Sequence, residues 1–264
     1  LDFLALSFAL KALGRDLTDA DHEPEVPFMK DLLGPEPMCL HVGASDGRHS
    51  FAILKARPKA RVMAFEPSTF GVTCMKQGVW LRGLGRKIEV VQAAVGDAPG
   101  ELTLVTPRKK RGIRARAFAF IASDKEAHDR ADFAGYGHFE EKVKVVKLDD
   151  LKLPPVEFIR MDIEGAELLA LQGAKGLLER DRPHILIEIH PIILEQRFST
   201  KVSVIEDFFR SLGYVFAKVE NGKIVATDTL MPDVHEGRFG DFFVLNPNRK
   251  VPEGPFQAIV KQAA

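Results

Sequence analysis

From Met38 onward the chain switches between two rhythms of apolar and polar positions. Short runs that are apolar on both faces (MCLHV, RVMAF, KIEVVQAAV, VEFIRM and PHILIEI) alternate with segments whose apolar residues recur at helical spacing (HSFAILKA, TFGVTCMKQGVWL and AELLALQGAKGLLERD). Doubly buried strands joined by helices predict a parallel sheet covered on both sides. The first helix ends before Pro58 and the second at the glycine-rich LRGLG. VSVIEDFFRSLG predicts another helix, stopped by Gly213 in a left-handed C-terminal cap. In YVFAKVENGKIVATD, Asn221-Gly222 separates two strand-like runs and signals a hairpin, and GDFFVLNP supplies one more strand. The fold class expected is α/β with an open, twisted sheet.

The flanks differ. LDFLALSFALKALG has Leu4, Phe8 and Leu13 at helical spacing and predicts an amphipathic helix packed on the domain. The run is too short to span a bilayer. Acidic TDADHEPEVPF, with two prolines, is expected to be a linker, so residues 1–34 form an N-terminal helix and linker ahead of a domain over 35–264. ELTLVTP is strand-like, but after Pro107 the pattern breaks, and 107–140 is expected to be an insertion or flap. Regularity returns with KVKVVKLDDL.

Composition narrows the field only slightly. Lys+Arg and Asp+Glu both total 37 in 264 residues, so bulk charge predicts neither nucleic acid nor membrane as a partner. Two cysteines, Cys39 and Cys74, supply no disulfide framework or zinc cluster, and a reducing, cytoplasmic setting is expected.

Candidate chemistry begins in HVGASDG. Gly43 and Gly47 fall between the first strand and its helix, where open α/β sheets bind ligands and a helix N-terminus can hold an anion. The dinucleotide pattern of three glycines is missing, which argues against a nicotinamide oxidoreductase. Glu66 follows about twenty positions later at the end of the second strand, placed to accept hydrogen bonds from ribose hydroxyls. Turn and acid together favour an adenosine-containing cofactor.

Here the order of motifs becomes specific. HVGASDG, AFEPSTF, AAVGDAPGELTL, VKLDDL, FIRMDIEGAELLALQGAKGLL and ILIEIHP together resemble the FkbM-type S-adenosylmethionine-dependent methyltransferases, over roughly residues 38 to 247. The resemblance implies a Rossmann-like, class I methyltransferase fold whose seven-stranded sheet is parallel except for the last strand, from a C-terminal hairpin. It implies that the glycine turn (His41, Gly43, Ala44, Ser45, Asp46, Gly47) holds the methionine part of S-adenosylmethionine. Glu66 and Pro67 would then border the ribose, and Ala94 and Asp97 the adenine, with Asp162 also near the cofactor. The family usually has Asp where this chain has His41, and Asn where it has Ser45. That substitution predicts weaker or pH-sensitive cofactor binding, since an imidazole changes charge near neutral pH.

Strand ends supply the remaining candidates. Asp162 and Glu164 follow one strand, and Glu188 and His190 end the next. His190, then Asp162, is the expected general base for a hydroxyl acceptor. Alternatively Asp162 and Glu188 are oxygen ligands of a divalent cation such as magnesium. Glu164 and Glu167 also suit the first turn of the following helix. The basic run RKKRGIRAR, with Arg111, Arg114 and Arg116, is either a solvated loop or a flap recruiting an acidic group on the substrate. The resemblance implies O-methylation of a sugar, glycan or polyketide-like small molecule. A catalytically inactive binding or scaffold protein is the alternative that His41 favours.

Overall fold

The computed structural model describes residues 6, 23–107, 120–121, 138–232, 239–251 and 254–263. In chain order the elements are α1 (Val26–Met29), a 3-10 turn (Lys30–Leu32), β1 (Met38–Val42), α2 (Arg48–Ala56), β2 (Arg61–Phe65), α3 (Thr69–Leu81), β3 (Ile88–Val91), β4 (Ala94–Val95), β5 (Gly100–Pro107), β6 (Phe120–Ile121) and β7 (His138–Val146). After a 3-10 turn (Leu148–Asp150) come β8 (Phe158–Met161), α4 (Glu167–Gln172), α5 (Lys175–Asp181), β9 (His184–Ile189), α6 (Pro191–Phe198), α7 (Val202–Ser211), β10 (Val215–Glu220), β11 (Lys223–Thr227), β12 (Gly240–Leu245) and α8 (Phe256–Ala263).

An eight-stranded sheet runs in the order β11-β10-β12-β9-β8-β1-β2-β3. Strands β3, β2, β1, β8 and β9 are parallel, and β12 lies antiparallel between β9 and β10. The eighth strand is β11, the outer arm of the hairpin. Its turn residues Asn221 and Gly222 both have positive φ, as a tight hairpin of native twist requires.

Strand alternation sorts the sheet residues into two cores. One face sets Leu40, Val42, Ile159, Met161, Ile185 and Ile187 against Ala170, Leu177, Ile205 and Phe209 of α4, α5 and α7. The other sets Cys39, Phe158, Leu186 and Phe243 against Met29, Phe51 and Phe256 of α1, α2 and α8. Part of the expected linker is therefore packed structure, because Met29, Leu32 and Leu33 have apolar neighbours to bury against.

A second sheet, β4-β7-β5-β6, departs from the single sheet expected. The run KIEVVQAAV divides between the two sheets as β3 and β4. β5 and β7 pair antiparallel from Gly100↔Val145 to Pro107↔His138, so the insertion leaves and rejoins at adjacent strand ends.

The helix expected over AELLALQGAKGLLERD is two helices. At the break, Gly173 packs so tightly that a Cβ would lie 1.9 Å from the Gly96 carbonyl oxygen. The Gly173 carbonyl accepts from Asp149 N, and the Asp149 carboxylate accepts from Gly176 and Leu177 N, capping α5 from another segment.

A candidate active site at the strand ends

The β1 turn is organised by backbone. Gly43 has φ 82°, and a Cβ there would stand 1.8 Å from the Asp162 carbonyl oxygen. The glycine is needed because the β8 turn crosses it, and this contact explains the residue before any ligand is considered. Gly43 and Ala44 N–H groups both donate to Phe65 O, tying the turn to β2. Ala44 is buried, Ser45 and Gly47 also have positive φ, and Asp46 Oδ1 accepts from Arg48 N at 3.4 Å.

Glu66 sits under this turn. Its Oε2 accepts from Ser45 N at 2.8 Å, and its Oε1 accepts from Ser68 N at 3.0 Å and Ser68 Oγ at 2.6 Å. Burial raises its pKa, and these hydrogen bonds oppose the shift. A carboxylate offers about four acceptor sites. Three are used, so Oε2 retains capacity for one further donor such as a ribose hydroxyl. Pro67 follows and is half-buried, as is Ala94, while Asp97 is exposed in the turn between β4 and β5.

His41 departs from expectation. It is 1% exposed on the face covered by α2, its Nδ1 lies 2.8 Å from Ser50 Oγ, and its ring meets His49 edge-on. Burial pushes its pKa well below the usual imidazole value, with His49 and Arg160 adding to the effect. The expectation that it changes charge near neutral pH is therefore corrected: His41 stays neutral.

The second half of the site centres on Arg160, which the sequence reading passed over. Register pairs His41 with Arg160 and Glu188 with Asp241, and alternation puts all four on one face. The Arg160 side chain is 2% exposed. Its Nη1 lies 2.5 Å from Asp241 Oδ1, and its Nη2 lies 3.2 Å from Glu188 Oε2 and 3.5 Å from Asp162 Oδ2. Burial alone would lower the guanidinium pKa, but the three carboxylates more than offset it and Arg160 stays charged.

Glu188 Oε1 lies 2.5 Å from His190 Nε2, and Glu164 Oε2 lies 4.0 Å from the same nitrogen. Burial would lower the imidazole pKa, yet Glu188 and Glu164 raise it on balance. Glu188 itself is held low, against its burial, by His190 and Arg160. Burial pushes Asp162 up to about 7 and Asp241 to about 6, with Arg160 opposing and the other carboxylates reinforcing.

The N-terminal segment reaches the same cluster. Glu25 is 9% exposed and raised to about 7, first by burial and then by Asp241. Glu23 lies 2.9 Å from both Arg48 and His49.

Alternation does not set Asp162 beside Glu164, because β8 ends at Met161 and Glu164 turns at φ 53°. Their shared placement comes from the turn. Glu167 Oε1 accepts from Gly165 N at 3.0 Å, consistent with a role in the helix start. Glu164 faces His190 instead. Arg111, Arg114 and Arg116 lie outside the described residues, as does nearly all of the N-terminal helix.

Ligand-type atoms of Asp162, Glu188 and His190 lie within 4.8 Å of one another. Two contacts compete with a divalent ion for this set. The Arg160 guanidinium already takes one oxygen of each carboxylate, which leaves each with fewer lone pairs for an ion. His190 would also have to give up its bond to Glu188.

A family model described as the Methyltransferase FkbM domain matches residues 41–216. The chain belongs to the FkbM methyltransferase family. It is 25% identical over 154 residues to the 2-O-methyltransferase NoeI of Sinorhizobium fredii, covering 56% of this chain and 61% of that protein. The chain thus spans about three-fifths of that curated relative's length. The solved methyltransferase FkbM of Methylobacillus flagellatus superposes with a TM-score of 0.54 at 16% identity, over 84% of this chain and 47% of that one, which supports the fold. Glu23, Glu25 and Asp241 fall outside the matched span, so pattern matching to the family alone does not reach them. Among the described residues, no helix is long and apolar enough to cross a membrane.

Proposed function

We propose that the chain is an S-adenosylmethionine-dependent methyltransferase that methylates a hydroxyl oxygen of a sugar, glycan or polyketide-like small molecule, with His190 as general base. The observation that carries this reading is the Glu188–His190 pair, 2.5 Å apart at the end of β9 and anchored by Arg160. Glu66, with its remaining acceptor capacity, and the Gly43–Gly47 turn would hold the cofactor, which supplies an electrophilic methyl group. Carboxylates around Arg160 outnumber the cations there, and the surplus negative charge suits a cationic sulfonium and ammonium.

His190 Nε2 is committed to Glu188, leaving Nδ1 as the atom that takes the acceptor proton while the oxygen attacks. Glu188 fixes the ring and stabilises the imidazolium that forms. The raised pKa of His190 sets the direction of the pH dependence: turnover rises with pH above the usual imidazole value, as the base form accumulates. O-methylation also agrees with the name of the relative NoeI. The two cysteines, buried and free, agree with a cytoplasmic location.

The non-catalytic alternative drew its support from His41. A buried, neutral His41 bonded to Ser50 is explained by core packing and gives no reason to suppose a lost activity.

Transfer of a labelled methyl group to a panel of sugars and small alcohols tests the base. His190→Gln should lower turnover by roughly 10²–10⁴-fold and abolish the pH dependence. Turnover equal to the wild type would remove His190 from that role.

A further inference from the structure

An aromatic ring on the acceptor side of His190 has no part in the scheme above. Phe239 stands just before β12, and its ring lies 4.9 Å from the His190 ring at a tilt of 31°. The register Gly240↔Ile189 explains the meeting, since the next pair outward along these antiparallel strands is Phe239 and His190. Despite that contact Phe239 is 49% exposed. Ile192, two residues beyond His190, is also 49% exposed, and Met231 is 50% exposed beside Pro232, whose ring packs against Gly240.

Sheet order decides which ligand this ring serves. The glycine turn follows β1 and Glu66 follows β2, whereas Phe239 precedes β12, three strands from β1 and four from β2. Neighbouring strands lie about 4.8 Å apart, which puts Phe239 roughly 14 Å from the turn and 19 Å from Glu66. His190 at the end of β9 stands between. A ring there is too far to border the adenosine, so it belongs to the acceptor's half of the crevice.

The surroundings indicate the acceptor's chemistry. Around His190 lie the carboxylates of Glu188 and Asp162, both engaged by Arg160, and that of Glu164, whose Oε2 is 4.0 Å from His190 Nε2. A flat apolar acceptor would leave the acceptor capacity of Glu164 unused, whereas a hydroxyl can donate to it. A pyranose satisfies both demands: the C–H face rests on the aromatic ring, and hydroxyls overhang its edge towards the carboxylates and the imidazole.

We propose that Phe239 is the stacking platform for the acceptor, that the acceptor is a pyranose, and that this contact sets which hydroxyl meets His190. This rests on the methyltransferase reading and names its substrate class. Phe239 acts as a positioning residue, not as a proton carrier.

Saturation-transfer NMR with methyl pyranosides, recorded with S-adenosylhomocysteine present, provides the test. Wild-type protein should saturate ring C–H protons. Phe239→Ala should weaken binding about tenfold, and Phe239→Trp should retain it. Calorimetric affinity for S-adenosylmethionine should stay unchanged in both variants, which reports an intact fold. Absent saturation in the wild type, or equal binding by Phe239→Ala, would overturn the proposal. His190→Gln separates the two readings. If it binds pyranoside but does not turn over, both stand; if it turns over normally while Phe239→Ala loses the sugar, only the base assignment fails.

Discussion

The two halves of the crevice are built by different physics. Around β1 and β2 the geometry is held by backbone: Gly43 fits beneath the Asp162 carbonyl, Ser45 and Ser68 amides cradle Glu66, and every partner is close in sequence or on an adjacent strand. Around β8, β9 and β12 the geometry is held by charge. One buried guanidinium gathers three carboxylates, from β9, β12 and the turn after β8, with Glu25 arriving from the N-terminal segment. A backbone cradle tolerates almost no change of shape. A charge cluster tolerates changes of shape but not of charge balance, and it responds to pH.

Substitution at Gly43 should show the larger effect. A methyl group 1.8 Å from a backbone oxygen, at a φ that side chains rarely adopt, has nowhere to go. Gly43→Ala should destabilise by roughly 3–5 kcal/mol in urea unfolding. A loss below about 1 kcal/mol would mean the β8 turn yields, and the cradle is less rigid than its contacts indicate.

Arg160→Met should cost a similar or slightly smaller amount, roughly 3–4 kcal/mol at pH 8, because three carboxylates lose their cation. The loss should shrink towards pH 5. A carboxylate whose folded pKa is raised costs nothing below its unfolded value near 4 and its full penalty above the folded value. For Asp162 and Asp241 the folded values are about 7 and about 6, so stability from these groups falls as pH climbs through that window. Removing Arg160 steepens the fall. A pH-independent loss, read by urea unfolding at pH 5 and 8, would show that Arg160 matters for packing and not for charge.

The same contrast explains what the sequence made legible. The backbone-built half was visible because its needs appear as residue types at fixed offsets: glycines after a strand, then an acid at the end of the next. Gly213 and Asn221-Gly222 were legible for the same reason. The charge-built half was not, since Asp241 and Glu25 are far from Arg160 in the chain and no local spacing connects them. Arg160 did leave a signal. VEFIRM carries two charges, Glu157 at its start and Arg160 within the run, and a charge inside a strand expected to be buried on both faces has to find partners. The division of AELLALQGAKGLLERD depended on Gly96 and Asp149, which no helical period reveals. Helix α6 buries only Leu194 and its sequence carries little helical period, whereas α8 does carry an apolar face, Phe256 and Val260, that the sequence reading passed over.

Titration of S-adenosylmethionine into the wild type, Glu66→Gln and His190→Gln by calorimetry tests the division most directly. The expected result is binding to the wild type, at least tenfold weaker binding to Glu66→Gln, and near-wild-type binding to His190→Gln. Binding that survives in Glu66→Gln but is lost in His190→Gln, or no binding to any of the three, would contradict the assignment of cofactor and base to opposite halves of the crevice.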